Sequence, residues 1–456
     1  MSRSASRAVA AAGLAVAASL VLVACGGGGS SGSADFRKDV SGSMNAWAFD
    51  SADDVGKARL GYADRRLKSA GVAITLDKTA FDAQKFATRT ASGRVPDVIQ
   101  MNSQYVTTYA AQGLIMPLDA CYSLYDVDPT TYFYPQVAAD VTYQKKTWGV
   151  PQFYQPPAIL LNTRVMQQAG VTADDFDVSK QDRLLTAITK LTSFQGSNPT
   201  RVGFDPQGVS QAGLWMLSFG GRLVDSSGKP ALDDPKNAEA IRFLKRIYDA
   251  QGGYANANSF IDSFDVFGDG NQFVKDQVGA EIYPQWYVNV LAGYSDRVKL
   301  TAVPFRDQQG EPFTVASGQA FVIPTKAKNP SAACKWMIDV TSASSWDAAA
   351  KARQATLAET PGSINTGLFT GVKSVDKSIR TTYTGSSGDR GFEEAITTYY
   401  EVASEGKSFG SSPAGQQVAS ELASAVTSAL LGEKSATAAL AGAQKAAMSA
   451  YTRIAG

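Results

Sequence analysis

Met44-Asn45-Ala46-Trp47-Ala48-Phe49, followed by Asp50-Ser51 and, one helix length later, by Gly71-Val72-Ala73-Ile74-Thr75-Leu76, is the stretch from which the fold class is read. The two outer runs are apolar and suited to strands. Between them Val55, Leu60, Ala63 and Leu67 recur at helical spacing, which predicts an amphipathic helix over 53–70 with Gly71 as its C-terminal stop. Strand, helix, strand is the repeating unit of an α/β architecture. The pattern continues: another helix ends at Gly93, and Val95-Pro96-Asp97-Val98-Ile99-Gln100 enters a third strand. Asp234-Pro235 and Asn329-Pro330 each place an N-cap and a proline at the first helical position. Val418, Leu422, Val426 and Leu430, then Leu440, Met448 and Tyr451, predict two amphipathic C-terminal helices.

The N-terminus reads differently. Arg3 and Arg7 precede an uncharged apolar run from Ala8 to Ala24, and Leu22-Val23-Ala24-Cys25 looks like a bacterial lipobox. The run is short and alanine-rich for a membrane span, so residues 1–24 are expected to be a cleaved signal peptide. Cys25 is the expected lipidation site, and 25–40, opening with a Gly/Ser run, the expected tether. The expected location is the extracellular face of the cytoplasmic membrane, with the chain held by its lipid. Roughly 430 residues remain, enough for two lobes.

Composition excludes several functions. Loss of Arg3 and Arg7 turns the formal charge of +1 into −1, which gives no reason to expect a nucleic-acid partner. The chain has no histidine, so a Ser-His-Asp or Cys-His catalytic site and a His-based metal site are excluded. Gly28-Gly29-Ser30-Ser31-Gly32 mimics a nucleophile elbow but lies in the tether. Asp265-Val266-Phe267-Gly268-Asp269-Gly270 mimics the start of a calcium loop, yet Phe267 stands where a ligating oxygen is needed and Asp276 where the bidentate Glu belongs, so a turn is expected. Asp174-Asp175 and Glu393-Glu394 are adjacent pairs and do not converge on one point. No cofactor and no metal are expected. Cys121 and Cys334 are an even pair outside the lipobox; a disulfide and two buried thiols are both open.

Ala91-Ser92-Gly93-Arg94-Val95-Pro96-Asp97-Val98-Ile99, Tyr109 to Asp119, Trp148-Gly149-Val150-Pro151 through Arg164, Phe219 to Asp225, Phe273 to Trp286, and Ser317 to Pro324 follow one another in an order and spacing that resemble a known family. It is the extracellular solute-binding proteins of bacterial ABC importers, in the group typified by maltose-binding protein. The resemblance implies an α/β, two-lobe periplasmic-binding-protein-like fold of type 2, with three crossing segments near 154–158, 315–319 and 359–363 and the ligand in the cleft between the lobes. The first lobe would hold 41–154 and return at 318–360; the second would hold 155–317 and the C-terminal helices of 361–456.

The implied function is capture of a sugar or oligosaccharide outside the membrane, without catalysis, and delivery to an ABC permease served by a separate cytoplasmic ATPase. A monomer is expected. A surface carbohydrate-active enzyme using two carboxylates, and a solute sensor or polysaccharide-capture protein, stay open as alternatives. Aromatic faces suit the C–H faces of a sugar, and amides and carboxylates suit its hydroxyls. The candidate ligand-binding residues are Asp50, Asn102, Gln104, Tyr154, Gln155, Trp215, Trp286 and Gln319, taken from strand ends and crossings. Asp50 could instead cap the following helix. Trp47, Trp336 and Trp346 are read as core.

Overall fold

The computed structural model describes residues 35–49, 52–315, 318–359, 362–385 and 387–455. The signal, Cys25 and Asp50 therefore lie outside the described residues. The strands of the two main sheets are, in chain order, β1 (Gly42–Trp47), β2 (Val72–Asp77), β3 (Val98–Asn102), β4 (Val150–Tyr154), β5 (Pro157–Asn162), β6 (Ala280–Pro284), β7 (Leu300–Val303) and β8 (Gly318–Val322). The helices that bear on the site are α1 (Asp54–Ser69), α2 (Ser103–Ala111), α3 (Asp119–Leu124), α4 (Ala212–Ser218), α5 (Pro235–Asp249), α6 (Trp286–Ala292), α7 (Pro330–Thr341), α8 (Ala343–Ala358), α9 (Lys373–Tyr383), α10 (Arg390–Val402), α11 (Gly415–Leu430) and α12 (Ala436–Ala455).

β1 stops earlier than the run 44–49 suggests, because Ala48 takes a positive φ of 72° that no strand continues through. The Asp53 carboxylate then accepts from Gly56 N at 2.6 Å and starts α1, which buries Val55, Ala63 and Leu67. Gly71, at φ 79°, turns the chain into β2.

β1 pairs in parallel with β2 and β3, while β8 runs antiparallel between β3 and β4, giving the order β2-β1-β3-β8-β4. Asp97 explains why Pro-Asp-Val stands before β3. Its buried carboxylate accepts from Asn45 N in β1 at 2.9 Å and from Lys328 N and Asn329 N, both at 2.8 Å. One side chain thus holds β1, the entry to β3 and the approach to α7. Leaving those three partly buried N–H groups without this acceptor would cost free energy at each.

The second sheet is antiparallel, β6-β5-β7. β4 belongs to the first sheet and β5 to the second, so the chain passes between sheets at Gln155-Pro156. α10 packs on the second sheet, with Tyr399 Oη donating to Tyr283 O at 2.7 Å. A disulfide joins Cys121 on α3 to Cys334 on α7, Cα to Cα 5.8 Å, across a sequence separation of 213.

The residues after 360 do not all pack on the second sheet, contrary to the expectation for 361–456. Tyr383 of α9 donates to Asp347 of α8 at 2.6 Å, which keeps α9 with the returning segment. α11 touches α2, where Gln416 N meets Thr108 Oγ1 at 3.3 Å, and α12 reaches the 230–232 segment through Gln444. A C-terminal helix pair has two sides to bury, and here they fall on different parts of the chain.

Candidate functional site

A cavity of about 240 Å³ opens where α1, α8 and β4 face the start of α6 and the 367–369 segment. One of its two chemically distinct walls comes from segment ends, the other mainly from the bodies of α1 and α8. Gln155 lies in the passage between β4 and β5, and Gln285 and Trp286 follow directly on Pro284 at the end of β6.

The wall around Trp286 is aromatic and amide-bearing. Trp286 is half-buried, with Tyr283 meeting it edge-on at 5.3 Å between centroids and Phe267 lying nearly parallel at 5.8 Å and 16°. Asn289, one turn along α6, lines the same cavity. Gln285 is buried and donates to Thr366 O at 3.4 Å, which fixes the first turn of the helix.

The opposite wall is charged. Asp53 lines it from the cap of α1, and α8 contributes Trp346 and, two helical turns later on the same face, Arg353. Arg353 grips both oxygens of Asp54, at 2.8 Å from Nε and 2.7 Å from Nη2, and meets Asp53 at 3.3 Å. Burial pushes the Asp54 pKa up, but the hydrogen bonds and charge of Arg353 outweigh it and hold the carboxyl below its ordinary value. Arg59 lies 3.7 Å over the Trp346 ring and donates to Val340 O at 3.0 Å and Gln152 O at 3.3 Å. Burial pulls its pKa down to about 9, against the attraction of Asp53, so it stays protonated at neutral pH.

The structure brings Trp286 and Gln155 together in this cavity. Asn102 and Gln104 line a separate groove of about 190 Å³ with Ser210, Gln211 and Phe409, and the Asn102 side chain caps α2 by accepting from Gln104 N at 2.9 Å. Gln319 accepts from Gln100 Nε2 and borders a void of about 10 Å³ with Ser103, Phe153 and Tyr154. Two candidates do not face a cleft. Tyr154 is 1% exposed, packs on Tyr134 and accepts from Gln136 Nε2 at 3.1 Å, because the side chain of this strand position turns into the core. Trp215 is fully buried, with Phe305 edge-on at 4.9 Å and Nε1 donating to Pro206 O at 2.9 Å; α4 is covered on the face that carries it.

Asp53, Arg59, Trp346 and Arg353 were not legible as site residues. Trp346 is as buried as its core reading requires, at 3% exposed, yet its ring also lines the cavity. The usable signal was a Trp and an Arg two turns apart in an otherwise alanine-rich helix. Among the described residues no group of His, Cys, Asp or Glu could hold a metal ion. The arrangement offers a flat ring, amides and guanidinium donors around one volume, which equips it to hold a solute.

The profile of the bacterial extracellular solute-binding proteins matches residues 62–366. Among curated proteins, none matches the chain by sequence. Among solved structures, mannobiose-bound CpMnBP1 is similar over 90% of this chain and 100% of its own, with 22% identity and a TM-score of 0.70. An ABC transporter solute-binding protein of Thermotoga lettingae, bound with α-D-tagatose, shares 20% identity over 90% of this chain and 100% of its own, with a TM-score of 0.67. The GacH receptor of Streptomyces glaucescens, solved unliganded and with acarbose, shares 19% over 91% and 99%, with a TM-score of 0.65. These likenesses establish the α/β periplasmic-binding-protein fold. By the match over 62–366, the chain belongs to the bacterial extracellular solute-binding proteins, which bind a solute and do not transform it.

Proposed function

We propose that this protein is the substrate-binding lipoprotein of an ABC importer, and that it captures a sugar or oligosaccharide outside the membrane and hands it to a permease. The observation that carries the reading is Trp286, a half-exposed indole in the wall of a cavity that also presents Gln155, Asn289 and two guanidinium groups. A pyranose needs both features, an aromatic platform for its C–H face and paired donors for its hydroxyls. The mannobiose, tagatose and acarbose carried by the similar structures agree with this chemistry. In this reading the lobes comprise 41–154 with the 318–360 return, and 155–317 with α10. They close on the ligand about the 154–158 passage, and Cys25 carries the lipid.

A thermal-shift screen of mono- and oligosaccharides tests the ligand class: at least one sugar should raise the melting temperature, and silence of all sugars beside a response to peptides or amino acids would overturn it. For the anchor, Cys25→Ser should release the protein from the membrane fraction, and unchanged retention would refute lipidation.

A further inference from the structure

The segment 265–270, which imitates a calcium loop in sequence, spends its acidic group on its own backbone. Asp265 accepts from Gly268 N and Gly270 N, both at 3.0 Å. A side chain at Gly268 would displace the Asp265 carboxylate, since a Cβ there would fall 2.1 Å from Asp265 Oδ2. Asn271 Nδ2 donates to Val266 O at 2.8 Å and to the buried Tyr287 hydroxyl at 2.7 Å, and Tyr294 Oη donates to Phe267 O at 2.9 Å. Hydrogen bonds therefore fix the backbone on both sides of Phe267.

What this frame holds is an exposed ring. Phe267 is 68% exposed, more than the other exposed large apolar residues, Phe194 at 47% and Leu431 at 46%. It forgoes the burial a phenylalanine ordinarily gains. Its position is not arbitrary: it lies nearly parallel to Trp286, with ring centroids 5.8 Å apart, and is not itself among the residues lining the cavity.

We propose that Phe267 is the platform of an outer sugar subsite, so that the ligand is an oligosaccharide that runs from the cavity past Trp286 onto the Phe267 ring. The inference rests on the sugar-binding reading above and narrows it to chains of several units. A single ring is a small target for a protein partner, which would need a contiguous apolar patch. It is sufficient for one sugar face.

Titration calorimetry on the purified protein tests the subsite with two series, mannose to mannotriose and maltose to maltotetraose. Affinity should rise with chain length in the series that binds. Phe267→Ala should remove that rise, weakening the longest sugar roughly three- to tenfold while leaving the shortest bound sugar within about twofold. Phe267→Tyr, which keeps a flat face, should restore it. The melting temperature should not move, because the ring is exposed. An equal loss at every length would make Phe267 only a support for Trp286 and would overturn the proposal, as would unchanged binding at every length. Unchanged binding with slower uptake by cells would mark a permease contact instead. Tight binding of a monosaccharide with no gain from further units would refute the outer subsite and leave the sugar reading standing. Silence of both series alongside a response to a non-sugar solute would overturn the two together.

Discussion

The two walls of the cavity are held by different forces. On the α1 and α8 side, Asp53, Asp54, Arg59 and Arg353 are already engaged: Arg353 with two carboxylates, Arg59 with two backbone carbonyls and the Trp346 face. On the α6 side, Trp286 and Phe267 present ring surface that nothing in the chain fully covers. A paired charge contributes to the fold whether or not a ligand is present, whereas an uncovered ring gains most when a ligand covers it. Removing residues from the first wall should therefore appear first as lost stability, with any loss of affinity added to it, and removing them from the second as lost affinity alone.

The largest effect is expected at a tryptophan that belongs to neither wall. Trp215→Ala should cost about 3–5 kcal/mol of stability, as truncation of a buried Trp does, without altering the affinity of the folded protein for its sugar. A selective loss of affinity on an intact fold would return Trp215 to the site. Next, Arg353→Ala strips the partner from the nearly buried Asp54 and should lower stability by about 2–3 kcal/mol at neutral pH. Because the Asp54 pKa is depressed in the fold, its contribution is present above the unfolded value of 3.8 and is lost as pH falls through the lower folded value. The variant should accordingly show a weaker loss of stability in acid than the parent, followed by chemical denaturation between pH 3 and pH 7 (both values about those limits).

Two buried carboxyls that do not line this cavity should respond to pH with the opposite sign. Burial pushes the pKa of Asp140 and of Asp376 up to about 7, against hydrogen bonds from Ser408 and Thr370 respectively. The fold keeps protons that the unfolded chain releases above its value of 3.8, so stability is greatest below that value and is lost as pH rises through about 7. Asp376→Asn should remove about 2 kcal/mol of the decline between about pH 5 and pH 8. An unaltered pH profile would mean that the carboxyl is ionised in its buried site.

The smallest expected change is the most selective. Trp286→Ala should weaken sugar binding by about 1–2 kcal/mol while the ligand-free melting temperature barely moves. A large fall in melting temperature with intact binding would erase the contrast between the walls and make this indole a core residue.

These contrasts also mark what could be read in advance. The caps at Asp234 and Asn329 were legible, as was the apolar stripe of α1, because each depends on groups a few residues apart; the cap of that helix is Asp53, which the sequence reading had counted inside it. Trp286 and Gln155 entered the candidate set through the family resemblance and share the cavity. Tyr154 entered the same way and is buried in the core, since strand position alone does not say which neighbour will cover a ring. Arg353 was missed because its partner Asp54 stands 299 positions away.

By itself, the sequence determined the α/β class, the places where helices start, and the exclusion of histidine chemistry. Periodicity, caps and composition act through local or global counts and do not need the fold. The tertiary structure alone decided which of two helical tryptophans faces a cavity, that Cys121 lies beside Cys334, and that Asp97 serves backbone N–H groups from two distant segments. The reason is physical: whether a side chain is covered, bridged or hydrogen-bonded depends on which remote segment arrives against it, and such contacts form only when the whole chain has closed.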